Sequence, residues 1–247
     1  MATYTFLGTT STAWTTAANW SPSVVPTSAD TAIFDSSSLN CLVNANVTPG
    51  SVDFTNYTRT LTISNNISIN NNLTLGANMV ISGGGSIFVN GSGIWIGNGK
   101  TWPNNIITQT AIQTITISGS TFNTNTLTLN IGTTFAGVYG FAANSLVIGT
   151  AGATHTLQSG NTYTVTSGIT AAAPTAANKS TIQSSGAAYA KLTLLSGTTN
   201  VGFVNATWID SSAGQTIWSY GGTLSNTLNW KDLSVFPLNA SFTFVGS

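Results

Sequence analysis

The residues able to do chemistry are few. The acids are five aspartates (Asp30, Asp35, Asp53, Asp210, Asp232), and there is no glutamate. The bases are Arg59, Lys100, Lys179, Lys191 and Lys231. One histidine, His155, and one cysteine, Cys41, complete the set. Glycoside cleavage needs paired carboxyl groups. Asp30 and Asp35 are close in sequence, but they flank the short apolar run Ala32-Ile33-Phe34 and read as turn formers that accept backbone N–H bonds. From Arg59 to Ile209 there is no carboxylate at all. A Ser–His–Asp triad would have to use His155, which alternates with Thr154 and Thr156 and reads as an outward, solvated residue. Zinc needs several His or Cys ligands, and calcium needs carboxylates clustered in one loop. Gly83-Gly84-Gly85 opens no helix, so it is not read as a phosphate loop. Cys41 cannot form an intramolecular disulfide and reads as a small buried hydrophobe. The expectation is no enzyme, no cofactor and no metal.

Binding has more material. Seven tryptophans are present, and aromatic faces can stack on sugars. Trp95, Trp102 and Trp218 are the candidate partner or glycan contacts, together with Phe242 and Phe244 in the alternating end Ser241-Phe242-Thr243-Phe244-Val245. Nucleic acid is not expected, because the five basic residues are scattered singly and a phosphate-tracking groove needs them clustered. A membrane is not expected either, because no apolar run approaches the roughly 18 residues of a span.

These residues must be carried by strands. The chain has 247 residues, of which 4% are charged and 41% hydrophobic, against about 25% charged in ordinary soluble domains. Strong helix formers are scarce, while Thr, Ser, Asn and Gly suit strands and turns. From Thr60 to Ile96 the sequence is built of triplets, Leu61-Thr62-Ile63, Ile67-Ser68-Ile69 and Leu73-Thr74-Leu75. Two apolar residues flank one small polar residue, which is the period of a strand with one buried face. Short Asn, Ser and Gly runs between them read as corners. Ile115-Thr116-Ile117, Leu127-Thr128-Leu129, Leu146-Val147-Ile148, Tyr163-Thr164-Val165 and Leu192-Thr193-Leu194 continue the pattern at uneven spacing. The fold predicted is all-β, a parallel β-helix (β-solenoid) with coils of about 20 residues or more and aromatic-rich terminal caps. Asn70-Asn71-Asn72 suggests amide ladders at corners. A β-sandwich of many short strands is the competing architecture.

Three parts are expected: an N-terminal cap or attachment segment over 1–50, the β-solenoid over 51–207, and a C-terminal cap and tail strand over 208–247. Trp14 and Trp20 are assigned to closing the first end. Lys100 to Asn105 reads as a loop, and Ala171 to Asn178 as a small-residue loop that Pro174 keeps from being helical. The tail after Trp230 is expected to pack on the chain's own cap or on a neighbouring subunit.

The run Trp14…Asn19-Trp20-Ser21…Val25-Pro26-Thr27-Ser28-Ala29-Asp30-Thr31-Ala32-Ile33-Phe34-Asp35 resembles the N-terminal motif of β-solenoid bacteriophage virion surface proteins (decoration, fibre or tailspike-like). The motif is also seen in bacterial surface and autotransporter-like proteins. Ala206-Thr207-Trp208-Ile209-Asp210, Thr216-Ile217-Trp218 and Asn226-Thr227-Leu228-Asn229-Trp230 are similar to the way many of those solenoids end. The adhesins of that group carry an export signal, and the Met1–Phe6 start does not look like one. The resemblance therefore implies a virion structural protein assembled in the host cytoplasm: a capsid decoration or cement, a head fibre, or a tail component. Its implied partners are its own copies as a homotrimer, other virion proteins such as the major capsid protein, and a host-surface glycan. The alternative is a carbohydrate-binding adhesin or receptor-binding spike.

Overall fold

The computed structural model describes residues 1–109 and 112–233. The chain is all-β, a parallel β-solenoid of about 9 turns. A twelve-stranded sheet runs from Trp20–Ser21 to Leu224–Ser225, and an eleven-stranded sheet runs from Ile67–Ile69 to Trp230–Asp232. A third sheet of three strands, Cys41–Val43, Thr60–Ile63 and Val80–Gly83, closes the early coils. Each triplet buries its outer residues. Leu61, Ile63, Ile67 and Ile69 are in the core, while Thr62 and Ser68 are half-buried on the outer side. The alternation expected of a half-buried strand is therefore repeated coil after coil.

Stacking is in register. Ile67 aligns with Ile87 and Ile87 with Ile106, then Ile106 with Leu127 and Leu127 with Leu146. Like residues thus sit on like residues, about 4.8 Å apart. The uneven spacing of the triplets has a structural cause. Strand Thr162–Ala171 pairs along its first half with Ala190–Leu194 and along its second half with Thr198–Gly202. One coil is lengthened there by an inserted strand, and the sheet divides.

The corners are held by side chains from the preceding coil. Asn46 Oδ1 accepts a bond from Asn66 N at 3.1 Å, and Asn66 Oδ1 accepts one from Ser86 N at 3.0 Å. Asn40, Asn72, Ser92 and Asn205 do the same for Thr60, Ile94, Thr114 and Thr223. The bonding is amide to backbone rather than the amide-on-amide stack suggested by Asn70-Asn71-Asn72. It supplies partners to backbone N–H groups that turn away from the strand ladders. Asn66→Ala should cost about 1 kcal/mol of stability, measurable as a shift in the urea midpoint. An unchanged midpoint would remove the corner ladder from the stability argument.

The N-terminal 50 residues are not separate from the solenoid. Thr3–Phe6 pairs in parallel with Thr31–Ile33, which pairs in parallel with Ser51–Asp53. Likewise Val204–Thr207 pairs with Leu224–Ser225 across the second expected boundary. The first coils also carry a lid. Phe34 lies 4.7–5.6 Å, centroid to centroid, from Phe6, Trp14, Trp20, Phe54 and Tyr57. Several motif residues serve this lid. Trp20 Nε1 donates to Trp14 O at 2.7 Å. Buried Asn19 donates to Ala13 O and accepts from Thr10 N and Ser11 N. Thr3–Phe6 pairs antiparallel with Trp20–Ser21, which closes this edge.

Lys100 to Asn105 is not a loop. Thr101–Thr108 is a strand with a bulge between Trp102 and Asn105, paired with Phe122–Leu129. The bulge absorbs Pro103 and turns Trp102 inward.

Candidate functional site

Four of the five aspartates are committed to turns. Asp35, Asp53 and Asp210 each accept, through Oδ1, the backbone N–H and the hydroxyl of the residue two positions on: Ser37, Thr55 and Ser212. Asp30 Oδ2 accepts from Thr27 N and Thr27 Oγ1, and its Oδ1 from Ala2 N. The Thr27 and Ser37 bonds hold the Asp30 and Asp35 carboxyls below the usual carboxylate range, because each bond favours the charged form. Asp30 and Asp35 thus act as turn formers. Cys41 is buried, and burial pushes its thiol well up, which makes it a poor nucleophile. Among the described residues no group of three His, Cys or Asp is placed to hold a metal, and no helix is long and apolar enough to cross a membrane.

His155 is a correction. It points into the core and is wholly buried. Its strand, Thr154–Leu157, pairs with Ser180–Ser184 so that His155 faces Ile182 in the ladder. It follows the inward pair Gln113 and Thr133 on the preceding coils. The signal was in the sequence: Leu157 lies two residues on, on the same face. Neither ring nitrogen has a hydrogen-bond partner among the described residues.

Two of the tryptophans are corrections as well. Trp95 and Trp102 are 1% and 0% exposed and fill the core, so neither is placed to touch a sugar. Trp95 packs on Phe122 at 5.1 Å. Its neighbours Ile94 and Ile96 take the outer positions of that strand, with Ile94 exposed. In Gly-Ile-Trp-Ile three apolar residues run together, and alternation alone does not say which faces inward. Phe242 and Phe244 lie outside the described residues, as does the expected tail strand.

Of the three candidates among the described residues, Trp218 alone is half-exposed, and it stands beside an open cleft. The cleft, of about 740 Å³, is lined by Gly197, Thr199, Gly214, Gln215, Thr216, Trp218 and Asn229. It sits where the divided sheet continues as strands Thr198–Gly202 and Ile217–Tyr220. Its wall is fixed by Asn229, which takes a left-handed φ of 57°. Asn229 Nδ2 donates to Ser211 O and Gly214 O at 3.1 and 3.2 Å, and Thr216 Oγ1 donates to Asn229 Oδ1 at 2.7 Å. The floor must be glycine. A Cβ on Gly197, whose φ is +89°, would lie 1.6 Å from Ser167 O, and one on Gly214 would lie 2.3 Å from Leu194 O. Lys231 Nζ stands 5.8 Å from the centre of the Trp218 ring, a cation over an aromatic face. Sequence reading found Trp218 but not the cleft, because Asn229 and the two glycines reach it from separate coils.

No family model matches the chain, and no curated protein and no solved structure matches it either.

Proposed function

We propose that the chain is a non-enzymatic structural protein of a phage virion, a capsid decoration or cement or a head fibre, with a tail component as a further possibility. The observation that carries this reading is the unbroken parallel ladder, which runs in register from Thr3–Phe6 to Leu224–Ser225 with corners built mainly of Asn, Ser, Thr and Gly. Such a ladder behaves as a stiff rod whose units each rest on the next. Formal net charge is zero, so little repulsion opposes packing of copies against one another or against a capsid. The N-terminal motif residues support the same reading through the resemblance, since several of them build the lid rather than a reaction centre. The partners proposed are two further copies in a homotrimer and the major capsid protein, in a particle assembled in the host cytoplasm.

The test is mass spectrometry of gradient-purified particles, followed by imaging. The chain should be present at a fixed stoichiometry and visible as threefold projections. A protein found only in the soluble lysate would end the proposal.

A further inference from the structure

We infer that the Trp218 cleft is a binding site for an acidic oligosaccharide, with a pyranose on the indole and its carboxylate at Lys231. The inference stands apart from the virion reading and needs only the cleft itself. Three observations lead to it.

The first is preorganisation. Asn229 ties the turn Ser211–Gly214 to the strand bearing Trp218, and two glycines that admit no side chain leave the floor open. A site fixed before binding spends little of its interaction energy on ordering. The second is composition. Gln215 is exposed, Thr199 and Thr216 add hydroxyls, and Trp218 is half-exposed. An apolar ring edged by neutral hydrogen-bonding groups matches a pyranose, which has C–H faces and an equatorial rim of hydroxyls. The third is charge. The cleft lining includes no carboxylate, and the cation beside it, Lys231, is exposed and held over the Trp218 ring at 5.8 Å. Asp232 follows Lys231 in the same strand, so the attraction is local: Lys231 Nζ, 5.8 Å from the centre of the Trp218 ring, is the group that a carboxylate carried on a stacked pyranose would meet.

The experiment uses the full chain and two linear probes of equal length, a hexuronic acid oligomer and a neutral glucose oligomer. Binding is followed by calorimetry and by tryptophan fluorescence; Trp218 and Trp208 are half-exposed and the other five tryptophans are buried, so a signal that disappears in Trp218→Ala is assigned to the cleft. The uronate oligomer should bind more tightly. Trp218→Ala should weaken it at least about tenfold. Lys231→Gln should bring its affinity down to that of the neutral oligomer, and Lys231→Arg should restore the preference. Circular dichroism checks that each variant folds. Because Lys231 is exposed, its variants still decide the matter if Trp218→Ala misfolds. No binding of either probe, equal binding of both by the native protein, or an unchanged affinity in folded Trp218→Ala would each overturn the proposal.

Discussion

Phe34→Ala should lower the free energy of unfolding by about 3–5 kcal/mol, the range for deleting a buried aromatic ring. The upper end is expected, because Phe34 is the one ring that touches all the others of the lid. Its neighbours Phe6, Trp14, Trp20, Phe54 and Tyr57 belong to separate segments of the first coils and cannot all close on the space left behind. Each is held elsewhere. Trp20 is tied through Trp14 O, and the Tyr57 hydroxyl lies 2.9 Å from both Leu39 O and Thr60 O. The cavity therefore persists, and close packing is lost at the end of the rod. Denaturant unfolding followed by tryptophan emission measures the change. A loss under 1 kcal/mol would show that the lid adds little to the coils beneath it.

Acidification from pH 7 to pH 4 should remove about 3 kcal/mol of stability through His155 alone. Burial lowers the His155 pKa from 6.5 to about 4, because an imidazolium in the core would lose its hydration and gain no partner. The sign follows from which state takes the proton first. The unfolded chain is protonated at His155 as pH falls through 6.5, while the folded chain resists until about 4. Stability is therefore complete above about pH 7, declines from 6.5 to 4, and falls no further from this group below 4. The Asp30 and Asp35 carboxyls, held below 3.8 by their hydroxyl and backbone partners, contribute stability that is lost only at lower pH. The two windows separate. Gln113 and Thr133, the other inward polar residues of that column, do not titrate in this range. Urea midpoints of the native protein and of His155→Leu, compared at pH 7 and pH 4.5, check the assignment. The native midpoint should drop, and the variant should keep its own. Parallel declines in both proteins would place the effect elsewhere.

The two expected results mark the limits of what the sequence shows. The triplets and their polar corners were readable because a strand with one buried face writes its geometry directly into alternation. Leu127-Thr128-Leu129 is buried, half-buried, buried, as the pattern requires. The turn role of Asp35 was readable because the interaction is local, reaching no further than Ser37 and Ser38. What failed was non-local or ambiguous in phase. His155 was read by its threonine neighbours instead of by Leu157, which shares its face. Trp102 was obscured by Pro103 and two asparagines, which suit a loop and equally suit a bulge. The cleft at Trp218 was invisible because Gly197, Gly214, Trp218 and Asn229 become neighbours only when an inserted strand divides the sheet. In a solenoid the sequence describes each rung well and the alignment of irregular rungs poorly.

The lid also sets an order of events. Its rings lie between Phe6 and Tyr57, so they leave the ribosome before most of the coils exist. Each later coil among the described residues pairs with one already made, about 20 to 30 residues earlier. Translation can therefore build this rod vectorially, on a seed that is completed first and closed on its outer side. The growing chain then exposes an advancing edge whose natural cover is the next rung of the same polypeptide.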